Sequence, residues 1–319
     1  MCQHFIVGIQ CYRILEIIKD LKKGKRKAIA KALSIVENEQ KESRKLVKKI
    51  FKDCGNSIVI GITGSAGAGK SSLINKTVLE LKKLGVVPAV LAIDPTSHVS
   101  GGAILGDRVR MTESADSGTY IRSIASRGAG GAISRSIRNS IRVLECAGFD
   151  PIIIESVGAG QTEIEISNIA DITVVVLNPH TGDSIQTIKA GLTEIGDIYI
   201  VNKSDLEGTS QLFDAVQDYI VSASPDKISV FKTSTKTNEG ISKLAKKLKE
   251  LMKEKQKTKK EKEKECLEYE LKDIILNNVK EKIDFMSDNK TYAKYLKLVQ
   301  SKKMDPTDAA EKISKLIIK

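Results

Sequence analysis

One eight-residue stretch decides how this chain folds: Gly64-Ser65-Ala66-Gly67-Ala68-Gly69-Lys70-Ser71. It matches the pattern G-x-x-x-x-G-K-[ST] at every fixed position. The apolar run Ser57–Thr63 precedes it and the helical pattern Ser71–Leu84 follows it, so the loop is expected to join a buried strand to a helix. The glycines let backbone N–H groups turn towards a phosphate, and the helix N-terminus adds a positive dipole end. The stretch therefore predicts a phosphate-binding loop, in which Lys70 neutralises the β- and γ-phosphates and Ser71 ligates Mg²⁺.

Short apolar runs alternate with helical patterns through the middle of the chain. The apolar runs are Ser57–Thr63, Val86–Ile93, Thr119–Ile124, Pro151–Ile154, Ile172–Leu177, Ile198–Val201 and Ile228–Phe231. The helical patterns between them are Ser71–Leu84, Ala132–Ala147, Ser184–Gly191 and Ser210–Val221. Strands that alternate with helices form a mostly parallel sheet covered on both faces. The expected fold class is therefore α/β, with the three layers of a P-loop NTPase.

Helical patterns flank this central part on both sides. Arg13–Asn38 repeats apolar residues at helical spacing with a break at Gly24, and the chain after Ile241 becomes rich in Lys and Glu with apolar stripes. Pro306 is expected to start a last short helix. These changes predict three parts: an N-terminal helical segment at 1–54, a P-loop domain at 55–250 and a C-terminal helical arm at 251–319.

Composition limits the classes of function. The formal net charge of +12 fits a nucleic acid, an acidic partner or an anionic membrane. Aromatic residues are only 4% and Trp is absent, which argues against a surface that stacks on bases. No stretch is long enough to span a bilayer. The five cysteines are scattered without a CxxC pair, so we expect reduced thiols and a cytoplasmic location.

A second set of residues follows a strand and suits metal binding. Glu155 comes directly after the apolar run, and Gly158 lies at the spacing of the Asp-x-x-Gly element of GTPases. A carboxylate beside the phosphate loop holds Mg²⁺, and the glycine N–H senses the γ-phosphate. The acid here is Glu rather than Asp, so a plain glutamate at a strand end is the alternative. Gln161 is a candidate for orienting the attacking water, although in small GTPases the glutamine directly follows the glycine and here two residues intervene.

Asp94 and a glycine-rich stretch extend this set. Asp94 follows the run Val86–Ile93, at the strand end where α/β proteins bind ligands. It is expected to contact Mg²⁺ or the attacking water, and the alternative role is to cap the following turn. Gly101–Met111 is interpreted as a mobile first switch or as a surface loop. The candidate catalytic residues are Lys70, Asp94, Glu155 and Gly158, and the candidate metal ligands are Ser71, Asp94 and Glu155.

A base-reading motif follows the run Ile198–Val201: Asn202-Lys203-Ser204-Asp205. Asn-Lys-x-Asp reads guanine in GTPases. The Asp205 carboxylate accepts hydrogen bonds from guanine N1–H and the N2 amino group, whereas adenine would leave a buried carboxylate unpaired, at a cost of about 1–3 kcal/mol or more. Lys203 is expected to lie along the nucleotide, and Asn202 to tie this loop to the phosphate loop. Ser234-Thr235-Lys236 fits the last GTPase element, whose backbone contacts guanine O6.

With these motifs the chain resembles the methylmalonyl-CoA mutase-associated GTPases, the MeaB/ArgK family. The resemblance runs from about Leu21 to Ile241, and glutamate at position 155 is usual in the family. The stretches that carry it are Ala28–Asn38, Gly64–Ser72, Ala92–Ser97, Ile104–Met111, Glu155–Glu163 and Asp183–Asp205. The expected nucleotide-binding residues are Gly64, Ser65, Ala66, Gly67, Ala68, Gly69, Lys70, Ser71, Ser72, Asn202, Lys203, Asp205, Ser234, Thr235 and Lys236.

The resemblance implies a function as well as a SIMIBI-type P-loop core. It implies hydrolysis of GTP to GDP and phosphate, and a role as a GTP-dependent chaperone that gates cofactor loading of an adenosylcobalamin-dependent acyl-CoA mutase. It also implies a homodimer formed by the helical arm, and a further switch at Thr181–Lys189 that reports nucleotide state to the mutase. An older label for such chains is kinase of a lysine/arginine/ornithine transport system. The alternatives are a nickel-inserting GTPase of metalloenzyme maturation, whose His/Cys clusters this chain lacks, and a transport-linked ATPase, against which Asn-Lys-x-Asp argues.

Overall fold

Eight segments of the chain are described by a computed structural model: residues 13–38, 41–94, 111–125, 132–156, 161–179, 196–223, 228–287 and 290–317. The predicted helix Ser184–Gly191 lies outside these segments. The chain divides into two compact units, Met1–Glu263 and Lys264–Lys319. Across the described segments, no helix combines the length and the apolar character needed to cross a membrane.

All seven predicted strands are present and form one parallel sheet. They are β1 Val59–Thr63, β2 Ala89–Asp94, β3 Tyr120–Ala125, β4 Ile152–Glu155, β5 Ile172–Leu177, β6 Ile198–Asn202 and β7 Ser229–Thr233. Their order across the sheet is β3-β2-β4-β1-β5-β6-β7. The continuous apolar runs produce this arrangement because strands of a parallel sheet are covered on both faces. Since β4 and β5 flank β1, the loop after β1 leaves the middle of the sheet.

The strand boundaries differ from the predicted ones by a few residues. The largest shift is at β2, which begins at Ala89 although the apolar run begins at Val86. Pro88 has no N–H to donate to a ladder, and Val87 instead forms an isolated antiparallel bridge with Asp150. The prediction of a strand start at Val86 is therefore wrong.

Helices cover both faces of the sheet in the first unit. Residues 13–21 are helical, Gly24 turns the chain at φ 67°, and α1 follows, as the break in the apolar pattern predicted. The helices are α1 Arg26–Glu37, α2 Lys41–Ile50, α3 Lys70–Lys83, α4 Thr112–Asp116, α5 Ala132–Cys146, α6 Gln161–Ile169, α7 Thr209–Ala223, α8 Ile241–Ser287, α9 Lys290–Gln300 and α10 Pro306–Ile317. A 3₁₀ turn, Phe51–Asp53, follows α2.

Three apolar clusters hold the layers together. The N-terminal helices, α5 and α6 pack on one face of the sheet, where Leu33 and Leu144 are fully buried. α3 and the start of α8 pack on the opposite face, through side chains such as Leu81 and Leu248. α7 covers β5 and β6 in a smaller cluster around Tyr199. The layers agree with the predicted three-layer α/β fold.

The beginning of α8 is fastened to the strand starts at the amino edge of the sheet. Lys259 pairs with Asp171 at 2.5 Å, and Lys255 pairs with Asp197 at 2.6 Å. The first of these contacts continues into the sheet, because Asp171 also accepts the N–H of Val59 at 2.8 Å. These paired charges fix where α8 crosses the first unit.

The second unit consists of the end of α8 with α9 and α10. Pro306 begins α10 as predicted, and Asp305 caps it by accepting the N–H groups of Thr307 and Asp308 at 2.8 and 3.1 Å. These backbone donors lower the pKa of the Asp305 carboxyl. Among the predicted stripe residues of α8, Leu267, Leu271, Ile275 and Ile283 are exposed, and so are the nearby Leu276, Val279 and Phe285.

Candidate nucleotide-binding site

The loop between β1 and α3 has a backbone that glycine alone tolerates at two positions. Gly64 has a φ of 137°, and a Cβ there would lie 2.0 Å from the carbonyl oxygen of Val176. Gly69 has a φ of 89°, and a Cβ there would lie 2.5 Å from the amide nitrogen of Asn202. The loop is therefore pressed against β5 and against the base-reading segment, while Ala66 at its tip is exposed.

Lys70 lies across this loop. It is the first residue of α3, its side chain is buried, and its Nζ donates to the carbonyl oxygens of Gly64 and Ser65 at 2.8 and 3.1 Å. The ammonium group is thus held on the concave side of the loop, at the positive end of the helix dipole. Both features favour an anion at this point. Ser72 follows on α3 and is half-buried.

Ser71 and Glu155 meet at the carboxyl edge of the sheet. The Ser71 hydroxyl donates to Oε1 of Glu155 at 2.7 Å, and both side chains are buried. Asp94, also buried, lies on the neighbouring strand two residues beyond Ala92, which is the residue opposite Glu155. Hydroxyl and carboxylate oxygens are the donors that Mg²⁺ prefers, and water completes its octahedron in such sites. The chemistry of these three residues therefore fits a magnesium ion.

The base-reading segment is joined to the phosphate loop by Asn202. This side chain is fully buried, its Nδ2 donates to the carbonyl oxygen of Ala68 at 2.9 Å, and its Oδ1 accepts the hydroxyl of Thr233 at 3.0 Å. The predicted tie between the two loops is thus present. The next residue, Lys203, has a φ of 61°, so the chain turns sharply where the strand ends.

Asp205 is held by the loop after β7. Its Oδ1 accepts the hydroxyl of Ser234 at 2.7 Å, and this hydrogen bond is the main cause of a lowered pKa for the Asp205 carboxyl. Ser234 also accepts the N–H groups of Lys236 and Thr237, each at 3.2 Å. Without a nucleotide the Asp205 side chain is exposed, and the predicted burial of its carboxylate refers to the state with a base bound. A base would have to cover it.

Several predicted residues lie beyond the described segments. Gly158 and the stretches Gly101–Arg110 and Thr181–Lys189 belong to this group. Gln161 is the first residue of α6. Thr235 is half-buried and Lys236 is exposed, both beside Ser234. The structure thus brings together the phosphate loop, Glu155, the Asn202 segment and the Ser234 loop.

Two residues that support this site were not predicted from the sequence. Asn178 donates to the carbonyl oxygen of Gly67 at 3.3 Å, and Ser156 donates to the hydroxyl of Thr63 at 3.1 Å. Asn178 directly follows the apolar run of β5, so it carried the same signal as Asp94, a polar residue at the end of a buried strand. Ser156 directly follows β4 and carried the same signal, but its partner, 93 positions away in the chain, could not be identified from it.

The fold and this site define a class of protein: a P-loop GTPase. The sheet places a complete phosphate loop at its centre, and a buried asparagine connects that loop to an Asn-Lys-x-Asp segment. The model of one family, described as methylmalonyl Co-A mutase-associated GTPase MeaB, matches residues 29–288. The chain belongs to this family, and it is a GTPase.

Individual proteins agree with this membership. A putative GTPase of Pyrococcus abyssi is 39% identical over 313 residues, which cover 95% of this chain and 96% of that protein. The GTPase ArgK of Escherichia coli is 38% identical over 197 residues, which cover 60% of each protein. A crystal structure of a LAO/AO transport system kinase superposes with a TM-score of 0.71 over 96% of this chain and 98% of that one. At 23% identity this likeness supports the fold alone.

Proposed function

We propose that this GTPase acts as a nucleotide-dependent chaperone of an adenosylcobalamin-dependent acyl-CoA mutase. The observation that carries the proposal is the family match across residues 29–288, because that family is described by its association with methylmalonyl-CoA mutase. The site supports the nucleotide half of the proposal. The proposal does not extend to a transport-linked kinase that uses ATP, because the Asn202–Asp205 segment favours guanine.

The phosphate loop and α3 would bind the phosphates of GTP. The loop N–H groups and the N-terminus of α3 surround an anion, and Lys70 would move from the carbonyls of Gly64 and Ser65 to the β- and γ-phosphates. Ammonium donors gain more from charged phosphate oxygens than from neutral carbonyls, so this exchange is favourable. Phosphoryl transfer depends chiefly on such positioning and charge neutralisation.

Ser71, Asp94 and Glu155 would hold a magnesium ion beside those phosphates. When bound, Mg²⁺ neutralises charge that develops on the β- and γ-phosphate oxygens. Ser71 would ligate the ion directly, while Glu155 and Asp94 would hold it through its water shell. The Ser71 hydroxyl oxygen and Oε1 of Glu155 are already 2.7 Å apart, so these side chains would need to move little to hold the ion.

The base would be read by Asp205 while Ser234 fixes its orientation. The Ser234 hydroxyl donates a hydrogen bond to one carboxylate oxygen of Asp205, and this hydrogen bond fixes the orientation of the exposed carboxylate. A guanine above it would donate its N1–H and N2 amino hydrogens. Adenine has no such pair of donors, so it would bury the carboxylate without compensation.

A partner protein can respond to whether a GTPase holds GTP or GDP. The two nucleotide states differ chiefly in loops that the γ-phosphate holds, so a partner that contacts those loops reads the state. We include Thr181–Lys189 among the candidate loops and a homodimer among the candidate assemblies. By linkage, a mutase that prefers the GTP form must tighten GTP binding by the same factor by which GTP tightens the mutase.

Co-purification tests the association itself. The tagged protein is loaded with GDP or with a non-hydrolysable GTP analogue and is used to capture purified adenosylcobalamin-dependent mutases. The chaperone proposal expects capture that differs between the two nucleotides. A nickel-inserting function would instead predict capture of an apo-metalloenzyme and nickel binding, with no retention of a mutase in either state.

A further inference from the structure

A basic groove lies in the first unit between α3 and the first part of α8, and its lining residues are different from those assigned to the nucleotide. Its wider part is a cleft of about 840 Å³, lined by Lys76, Leu79, Lys82 and Lys83 of α3 and by Ile241 of α8. A second cleft of about 370 Å³ is lined by the residues directly after α3 and by Lys249, Met252, Lys253 and Gln256 of α8. The first cleft is lined by α3 and the first residues of α8, and the second by the residues directly after α3 and by α8 about two turns further on, so we treat them as two parts of one α3–α8 groove.

The groove carries an excess of positive charge. Five of its lining residues are lysines, Lys76, Lys82, Lys83, Lys249 and Lys253, and two are acids, Glu80 and Asp150. The ammonium groups of Lys82 and Lys249 donate to neutral carbonyl oxygens, of Ser117 and of Leu84, so their formal charges are not cancelled by those contacts. Lys83, by contrast, pairs with Glu80 at 2.5 Å, and Lys76 pairs with Glu113 of α4 at 2.8 Å. The excess therefore rests on Lys82, Lys249 and Lys253, set against Asp150.

Hydrogen bonds and apolar packing hold the walls of the groove in place. Lys82 and Lys249 each tie one wall to a neighbouring backbone carbonyl, and the buried side chains of α3 and α8 share one apolar cluster. The lining also includes apolar groups, among them Val87, which is 58% exposed. A cleft lined by both lysines and apolar side chains suits a segment that is both acidic and apolar, because the charges steer the segment and the apolar contacts retain it.

The groove has the length of a peptide. From Ser242 to Lys253 the helix rises about 16 Å at 1.5 Å per residue, which an extended chain of about five residues spans. We propose that the α3–α8 groove docks an acidic segment of a partner protein that carries at least one apolar side chain. This inference does not depend on the identity of the partner as a mutase.

The test uses the full-length protein and a fluorescein-labelled peptide of alternating Glu and Leu. Fluorescence anisotropy at low salt is expected to show binding that weakens as salt is added. The double variant Lys83→Glu/Lys253→Glu is expected to weaken binding about tenfold or more, because both exposed charges line the groove. Val87→Ser is expected to weaken it also, with an unchanged salt dependence.

The matched control is Lys48→Glu/Lys49→Glu, which makes the same charge change at two exposed lysines of α2. It should change peptide affinity less than about twofold, since these lysines lie outside the groove. Both double variants should hydrolyse GTP at the parent rate, which shows that they are folded. Equal losses in the two double variants would overturn the proposal. So would single-stranded RNA that binds more tightly than the peptide and loses the same affinity in the groove variant.

Discussion

The side-chain amide of Asn202 donates a hydrogen bond to the carbonyl oxygen of Ala68 over 2.9 Å and so joins the end of β6 to the phosphate loop. The two residues are 134 positions apart in the chain, and both are fully buried. The contact fixes the distance between the segment that would read the base and the loop that would bind the phosphates. A guanine nucleotide is recognised at both ends only if that distance is held.

Replacing Asn202 by Ala should therefore affect folding and binding together. The change leaves the Ala68 carbonyl and the Thr233 hydroxyl without their buried partner, which should lower the free energy of unfolding by about 2 kcal/mol. GTP and GDP should lose affinity to a similar extent, because both span the two loops. Urea denaturation and calorimetry measure the two effects. The control is Asn56→Ala, at an exposed position, which should keep the stability and the nucleotide affinity of the parent protein. If the Asn202→Ala protein were as stable as this control and bound nucleotide as tightly, the proposed role of Asn202 would be contradicted.

Replacing Glu155 by Gln should reduce the contribution of magnesium. Glutamine keeps the size of the side chain and its hydrogen bond with Ser71, but it removes the negative charge. In the presence of Mg²⁺, GTP affinity should fall about tenfold or more, and hydrolysis should fall with it. With EDTA, the variant and the parent should bind GTP equally. Glu207→Gln, at an exposed position, should leave both values unchanged. An equal loss of affinity with and without Mg²⁺ would place Glu155 outside the metal site.

Replacing Asp205 by Asn should change which base is preferred. The amide would present a donor in place of one acceptor, so GTP should lose at least about tenfold in affinity and xanthosine triphosphate should gain. Calorimetry with GTP, ATP and the xanthine nucleotide measures the exchange. The exposed Asp214→Asn variant should keep the parent preference. If the parent protein bound ATP as tightly as GTP, Asp205 would not be reading guanine.

The preference for guanine should be lost only at strongly acidic pH. The Ser234 hydroxyl lowers the pKa of the Asp205 carboxyl below its ordinary value of 3.8. Because its pKa is lowered, the Asp205 carboxyl stays charged at every pH above 3.8. The preference for guanine is lost only as the pH falls through the lowered pKa. Between about pH 7 and pH 5, protonation of Asp205 should therefore not weaken GTP binding. In Ser234→Ala the loss should begin at a higher pH than in the parent.

Cys54 should resist alkylation in the folded protein. Burial is the largest cause that raises the pKa of its thiol, from 9.0 to about 12. At about pH 8 the thiolate fraction is then on the order of 10⁻⁴, so iodoacetamide should modify Cys54 about a thousandfold more slowly in the native protein than in urea. The raised pKa also makes the free energy of unfolding depend on pH, because the folded state retains a thiol proton that the unfolded state releases. The contribution of Cys54 to stability should be present below pH 9.0 and decline as pH rises towards 12. Mass spectrometry of the Cys54 peptide would contradict this if both rates were equal.

Much of the fold could be predicted because its signals are local. Seven continuous apolar runs gave seven strands, and Gly24 and Pro306 marked a break and a helix start. The rest was missed for two reasons, one local and one long-range. Pro88 moved the start of β2, and the placement of the N-terminal helices on α5 depends on apolar side chains that are distant in the chain.

The main residues of the candidate site were predicted from motifs with fixed spacing. The residues that hold those motifs in place were not predicted. Lys70, Ser71 and Asn202 lie in motifs whose spacing has a physical cause, so their proximity could be expected. Asn178 and Thr233 contact the same loops without belonging to a motif, and only the order of the strands brings them there. The exposed Asp205 side chain does not test the motif, which describes that residue with its base in place.

The most direct test of the chaperone function is the affinity of an adenosylcobalamin-dependent acyl-CoA mutase for this protein in its two nucleotide states. The protein, loaded with GDP or with a non-hydrolysable GTP analogue, is titrated with the mutase, and the GTPase rate is followed in parallel. We expect affinities that differ between the states by about fivefold or more, together with a changed GTPase rate. No binding in either state, or equal affinities with an unchanged rate, would contradict the chaperone function.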